Sequence, residues 1–386
     1  MNLVFFSHPE FLGQQSMPRF TNMLTSGMRQ RGHTVECWSP RPILSRMPAP
    51  NFIRKWLGHF DQYVLFPMSL RKKISAISKD TLFIFTDQAL GPWVPLVCDR
   101  PHVIHCHDFL ALKSALGEIP ENPTSWTGQQ YQDMIRRGFS KGKHFISVSH
   151  KTKDDLHRFL LEKPNSSDVV YNGFHKPFDT QDPQDARRRF GERIHLDLSD
   201  GYVLHVGANV WYKNRAGVIE IFDAWRSKYQ KQLPLLMVGE PTKELLARQE
   251  QSPFKADIHW LTDIEDESLR LGYAGATAFL FPSLGEGFGW PIAEAMASGC
   301  PVITTDESPM TEVAGEAGFF IPRMTNDRSK VKEWADHASD VLQKIVSSKA
   351  TDRAAIVSAG IENAKRFDTG RALDKIEEIY NRILNK

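Results

Sequence analysis

Short apolar runs punctuate the chain at intervals that suit strands alternating with helices. Leu3 to Phe6, Val35 to Trp38, Leu82 to Phe85, Val103 to His107, His144 to Val148 and Val169 to Tyr171 read as strands. They are largely continuous rather than alternating runs, as in strands buried on both faces of a parallel sheet. Helical periodicity separates them, for example over Met17 to Arg31 and Lys151 to Leu161. After Asn172-Gly173 comes a polar stretch rich in Pro, Asp and Gln, the expected linker. A second series follows, with strands at Tyr202 to Val206, Leu235 to Val238, Ile258 to Leu261, Ala278 to Phe281 and Val302 to Thr304. This order predicts an α/β protein of two doubly wound parallel-sheet domains, residues 1–173 and 174–366, with a last segment at 367–386. The last segment holds a helix, Thr369 to Leu384, apolar at Leu373, Ile376, Ile379, Tyr380 and Ile383. Ligands of open parallel sheets bind beyond the carboxyl ends of the strands, so a cleft faced by both sheets is the expected active site.

Composition refines this picture. At 386 residues, 41% hydrophobic and 24% charged, the chain exceeds one ordinary core, which agrees with two domains. No apolar run reaches the length of a membrane span, and Met1-Asn-Leu-Val-Phe-Phe-Ser-His-Pro9 has neither the basic start nor the cleavage site of a secretory signal. A cytoplasmic protein is expected. Cys37, Cys98, Cys106 and Cys300 lack metal-ligand spacing and are expected as small buried side chains. A formal net charge of +2 gives no reason to expect a nucleic-acid partner.

The densest chemistry lies between Phe281 and Pro301, where an apolar strand passes through a glycine loop into a helix expected at about 291–298. Pro291 suits the first helical position, and Gly299 with Pro301 supplies the stop. The free amides of Phe288, Gly289 and Trp290 would face whatever lies beyond the strand, a position that attracts anions. Gly285, Gly287 and Gly289 keep side chains off this backbone. Glu286 falls in the loop and Glu294 in the expected first turn of the helix, so two carboxylates could accept bonds from hydroxyls of a ligand whose phosphates the amides hold. The plainer reading makes Glu294 only a dipole partner.

Two further loops carry candidate groups. Lys213 and Arg215 sit in Val206-Gly-Ala-Asn-Val-Trp-Tyr-Lys213-Asn-Arg215, after the first strand of the second series. They are either anion ligands or solvated helix-start residues. In Val103-Ile-His105-Cys-His107-Asp108-Phe109 a histidine stands where a strand gives way to a loop, placed either to exchange protons with a ligand or to bond backbone. His107 is preferred, since His105 is expected on the other face or deeper in the sheet.

The segment Glu286-Gly-Phe-Gly-Trp-Pro-Ile-Ala-Glu294 resembles the E-x7-E motif of retaining glycosyltransferases of GT-B fold, family four. Pro301-Val-Ile-Thr-Thr305 and Pro309-Met-Thr-Glu312-Val-Ala-Gly-Glu-Ala-Gly318 resemble the usual continuation of that family, and the likeness spans nearly the whole chain. It implies two Rossmann-like domains, an acceptor-binding one before a donor-binding one, with the last helix crossing back to the first. It also implies a nucleotide diphosphate sugar as donor. Glu294 would hold the ribose, Glu286 the sugar hydroxyls, and Lys213 with the amides of Gly287, Phe288, Gly289 and Trp290 the phosphates. His107-Asp108 is similar to the family pair beside the donor sugar. The arginine that often follows Val-Gly is replaced by Ala208, so Arg215 or the helix amides would supply its charge. Of the glycine-rich turn after the first strand only Gly13 is present, with Gln14, Gln15 and Ser16 as alternative acceptor contacts.

The activity implied is sugar transfer with retained configuration, without a metal or other cofactor, to a glycan or lipid-linked acceptor of surface polysaccharide or lipopolysaccharide synthesis. A nucleotide-sugar epimerase of the same fold and a silent sugar-nucleotide-binding subunit are the rivals. The acidic run Asp263-Ile-Glu-Asp266 is read as a helix start rather than a metal site. Asn51 to Phe60 with Arg71-Lys-Lys73 is either a basic face for peripheral contact with the inner side of a membrane or a helix packed on the first domain.

Overall fold

A computed structural model describes residues 1–9, 11, 16–48, 50–174 and 178–385. The chain forms two compact units, Met1–His175 with Thr369–Lys386, and Lys176–Asp368.

The first unit is built on β1 (Asn2–Phe6), β2 (Thr34–Trp38), β3 (Leu82–Phe85), β4 (His102–Cys106), β5 (His144–Ser147) and β6 (Ser166–Val169). All pairings are parallel, in the order β2-β1-β3-β4-β5-β6, with Leu3 opposite Leu82 and Ile84 opposite Val103. Every residue of β3, β4 and β5 is buried, which is why these strands read as continuous apolar runs. Phe6 stacks on Phe85 at 4.6 Å in the core. The sixth strand lies three residues before the expected Val169 to Tyr171. As a polar, half-buried edge strand it leaves no apolar signature. The helix Trp126–Phe139 presses against the segment Gln88–Leu96 so closely that a Cβ at Gly138 would stand 2.3 Å from the Gly91 carbonyl oxygen.

The helix Thr369–Leu384 belongs to this unit. Its apolar face, Ala372 to Ile383, is buried, Arg31 pairs with Asp374 at 2.8 Å, and the Tyr380 hydroxyl bonds His105 Nε2 at 2.8 Å.

The second unit contains β7 (Val203–Val206), β8 (Leu235–Val238), β9 (Ile258–Leu261), β10 (Ala278–Phe281), β11 (Val302–Thr305) and β12 (Phe319–Ile321). They pair in parallel in the order β12-β11-β10-β7-β8-β9. The helix Arg215–Tyr229 buries Val218, Ile219, Ile221, Phe222 and Trp225 against this sheet. Strand β12 leaves no signature in the sequence, because three residues are too few to show a period. The expectation of four buried thiols is corrected as well: Cys106 and Cys300 are buried, whereas Cys37 is exposed and Cys98 half-exposed.

Two core imidazoles make stability depend on pH. Burial pushes His105 down to about 3, with the neighbouring His107 adding to it. Burial likewise pushes His205 down to about 3, against the bond to the Leu280 carbonyl. Both are neutral in the fold, while an unfolded histidine titrates near 6.5. Below that pH the unfolded chain binds protons that the folded chain does not. Stability is therefore fully present above about 6.5 and falls by roughly 1.4 kcal/mol per pH unit and per histidine toward about 3. Calorimetric melts should shift down steadily between pH 7 and 5, before most carboxylates titrate. Equal melting temperatures across that range would contradict the buried, neutral assignment.

Candidate functional site

Strand order reverses between β7 and β10, and the loops that follow these two strands flank the reversal point where open α/β sheets bind ligands. The loops are laced together. Leu284 N–H donates to the Tyr212 carbonyl at 2.7 Å, and Asn214 Nδ2 donates to the Pro282 carbonyl at 3.0 Å. Asn214 sits in the left-handed region and also caps the helix Arg215–Tyr229 through Gly217 N–H. From the far side, Thr305 Oγ1 donates to the Ser283 carbonyl at 2.7 Å and the Arg323 guanidinium bonds the Leu284 carbonyl.

Within this frame Lys213 and Glu286 meet directly. Lys213 Nζ donates to Glu286 Oε1 at 2.8 Å, and Ser283 Oγ lies 2.7 Å from the same oxygen. The side chains are 12% and 8% exposed, so the pair is largely out of water. The ammonium also stands 4.6 Å from the Phe281 ring centroid, a cation–π distance. A solvated helix-start lysine is thereby excluded.

Glu294 sits elsewhere on the same loop-helix element. The helix runs over Trp290–Ala297, one residue earlier than expected, with Pro291 in second place and Gly289 before it at φ +100°, a conformation that suits glycine. This corrects the first-turn placement of Glu294, which falls in the second turn and accepts a bond from the Tyr273 hydroxyl at 3.1 Å. Burial, with Glu294 beside it, pushes the Tyr273 phenol well above its ordinary range, so it remains a donor. Phe288 is buried, its ring edge-on to Phe367 at 5.4 Å. Gly287 and Trp290 are half-buried in the same turn.

Arg215 differs from both earlier readings. It is neither solvated nor open to a ligand, being 4% exposed, with Nη atoms donating to Asn209 Oδ1 at 2.8 Å and to the Gly239 and Glu240 carbonyls at 2.7 and 2.6 Å. Its guanidinium faces the Trp260 ring at 4.8 Å, and burial pushes its pKa down to about 10. In this state it braces the ends of β7 and β8.

In the first unit His107 follows β4 and is buried. Its Nε2–H donates to the Thr86 carbonyl at 2.9 Å, which leaves Nδ1 as an acceptor when the ring is neutral, and burial favours the neutral ring. Gln88 fixes the turn, accepting from His107 N–H at 2.8 Å and donating to the Asp108 carbonyl at 2.5 Å. His105 lies deeper on the same side, since both rings contact Phe20, which corrects the opposite-face alternative. Gly13, Gln14 and Gln15 lie outside the described residues.

Sequence reasoning missed His8 and Asp87. They follow β1 and β3, which flank the order reversal of the first sheet, and join at 2.8 Å between Nε2 and Oδ2. Burial opposes ionisation of Asp87, but His8, His107 and the Ala89 amide outweigh it and hold the carboxyl below its usual range. Only the position of His8 just past the first strand could have drawn attention to it.

Two doubly wound parallel units, the second with an acidic and a basic loop joined at its order reversal, define the GT-B architecture. The family model described as glycosyl transferases group 1 matches residues 200–344, and that described as Glycosyltransferase Family 4 matches residues 17–176. The chain belongs to the group 1 glycosyltransferases. It is 30% identical over 170 residues to the O-antigen chain mannosyltransferase B of Escherichia coli, a match spanning 43% of this chain and 42% of that protein. It is 26% identical to a phosphatidyl-myo-inositol mannosyltransferase of Mycobacterium leprae, covering 73% of each chain. The matches to the first curated relatives span about half of those proteins' length. The crystal structure of Anabaena HepE with UDP and glucose is similar in fold, with a TM-score of 0.69, 16% identity and 99% of each chain covered.

Proposed function

We propose that the protein is a retaining, metal-independent glycosyltransferase. It would move a sugar from a nucleotide diphosphate to a glycan or lipid-linked sugar acceptor, in surface polysaccharide or lipopolysaccharide synthesis at the cytoplasmic side of a membrane. The observation that carries this reading is the joined Lys213–Glu286 pair at the order reversal of the second sheet. The pair offers a cation for a diphosphate and a carboxylate for sugar hydroxyls within one site. Two helices of the second unit, Arg215–Tyr229 and Trp290–Ala297, start from the same loops with their positive ends toward it.

In the reaction the bond from the anomeric carbon to the diphosphate oxygen breaks, and its electron pair leaves with the diphosphate. The acceptor oxygen bonds the same face of the carbon, and its proton passes to a phosphate oxygen of the leaving group. The growing charge is met by Lys213 and the loop amides, which are oriented in advance. Arg215 contributes by bracing the loop rather than by touching the phosphates. His107 Nδ1 accepts a bond from a sugar hydroxyl, and Glu294 bonds the ribose.

The mannosyltransferase relatives and the UDP and glucose of the structural neighbour make mannosyl and glucosyl nucleotides the donors to try first. Calorimetric titration with UDP, GDP, ADP and dTDP and their sugars, in EDTA, should give tight binding of one nucleotide family. The bound donor should turn over only with an acceptor present. Isomerisation of the donor without acceptor would favour an epimerase, and binding without turnover with any acceptor a silent subunit. Failure of every nucleotide to bind would sink the donor-site reading.

A further inference from the structure

In the first unit the helix Asn51–Phe60 continues through one π-helical turn, Asp61–Leu65, into the helix Phe66–Ala76. One side of this arm packs inward: Gln62 is buried, and Phe66 and Leu70 join the core. That packing does not use the opposite side, where Ile53, Trp56, Phe60, Val64 and Met68 are 38%, 65%, 45%, 37% and 65% exposed. Their steps of three and four residues keep them on one face. The wide π turn sets back the drift that repeated steps of four accumulate on a regular helix.

A second segment extends the same apolar region. The Asp61 carboxylate accepts the backbone N–H groups of Ile43, Leu44 and Ser45 at 3.1, 2.9 and 3.0 Å, clamping the turn Leu44–Arg46 to the arm. Ile43 and Met47 on either side of that turn are 58% and 55% exposed. Seven of the thirteen exposed large apolar side chains among the described residues thus fall between residues 43 and 68. Scattered exposed apolar residues are ordinary, but concentration on one face marks an interaction surface.

Charge narrows the occupant. Residues 39–79 hold eight basic residues, Arg41, Arg46, Arg54, Lys55, Arg71, Lys72, Lys73 and Lys79, and one acidic residue, Asp61, whose carboxylate is turned inward to the clamp. The rest of the chain carries 40 basic and 45 acidic residues, so the excess is local. Arg41, Arg46, Arg54, Arg71 and Lys72 are exposed, and the last two stand three and four residues beyond Met68, on the next turn of the apolar face. Beside the arm an open groove of about 480 Å³ is lined by Arg41, Lys73, Ser39, Ser69 and Ile43 as well as the clamped Asp61, and Lys73 pairs there with Glu36 at 3.0 Å, so Arg41 is the cation it adds. A second copy of this chain would set the same cations against each other across a two-fold axis, which is repulsive.

We propose that this face docks the protein on an anionic phospholipid bilayer, with Trp56, Phe60 and Met68 in the boundary between headgroups and acyl chains and the surrounding cations against lipid phosphates. Apolar burial and attraction to anionic headgroups act together in such contacts. The proposal uses no residue of the donor site, so it stands or falls apart from the reading of the reaction.

Vesicle flotation tests it on the whole protein. Wild type should float with phosphatidylcholine vesicles containing roughly one-third phosphatidylglycerol, and bind pure phosphatidylcholine at least about tenfold more weakly. Trp56→Ser/Met68→Ser should lose about tenfold or more in binding to the anionic vesicles, with an unchanged melt because both side chains are exposed. Arg71→Glu/Lys72→Glu should lose the preference for anionic lipid, and Leu246→Ser, an exposed apolar site in the second unit, should bind as wild type. No wild-type flotation, or equal flotation of the Trp56/Met68 variant, overturns the proposal. So does a wild-type dimer that this variant dissociates, since the face would then be covered by a second copy.

Discussion

Lys213→Ala is expected to lower turnover roughly a hundred- to a thousandfold, the usual loss when one oriented donor to a developing anion is removed. The size follows from where the ammonium sits. At 12% exposure, beside the Phe281 ring and bonded to Glu286, it is held out of water, where a charge acts with little screening and needs no reorganisation as the leaving group forms. Arg215 is not placed to compensate, because its Nη atoms are engaged with Asn209 and two carbonyls. The loop should survive the change, since Asn214 to Pro282 and Leu284 to Tyr212 do not involve the lysine side chain. Steady-state rates on the donor identified by titration, with a melting curve to show the fold intact, measure the effect. Activity within about threefold of wild type would remove Lys213 from the reaction.

Much of the architecture can be read from buried strands. Runs such as Leu82 to Phe85 and Ala278 to Phe281 are apolar at every position because both faces are covered, and their alternation with helices gives the α/β class directly. Edge strands behave differently. Ser166–Val169 is polar and Phe319–Ile321 is short, and neither carries a signature that separates it from loop. The site shows the same division. Spacing marks Lys213 and Glu286 as loop residues after strands, but their contact depends on β7 lying beside β10, an order that local sequence does not encode. For the same reason local sequence does not reveal that Arg215, a candidate phosphate ligand by position, bonds Asn209 after β7 and two carbonyls after β8. His8 and Asp87 are 79 residues apart and meet only because β1 lies beside β3. The arm at residues 51–76 was half visible. Its basic, apolar character reads from sequence, whereas the choice between packing and exposure needed the two faces to be told apart.

Glu286→Gln should separate the two halves of the site. Glutamine keeps the shape and one acceptor oxygen for Ser283 and Lys213, but it removes the negative charge that neutralises the ammonium. Lys213 then faces an incoming diphosphate without a competing carboxylate in a largely buried setting, so the affinity for the nucleoside diphosphate alone should hold or rise severalfold. Turnover should still fall by about ten- to a hundredfold, because sugar hydroxyls lose a charge-assisted bond of roughly 1.5–3 kcal/mol. Opposite signs in binding and turnover are not expected of a loop that has merely loosened, which would weaken both. In the double variant with Lys213→Ala any gain in diphosphate affinity should vanish, since it depends on the freed ammonium. Calorimetry on the four proteins decides the matter. Loss of diphosphate binding in Glu286→Gln alone would mean that Glu286 holds Lys213 in place for the phosphates, and the assignment of Glu286 to the sugar would have to be withdrawn.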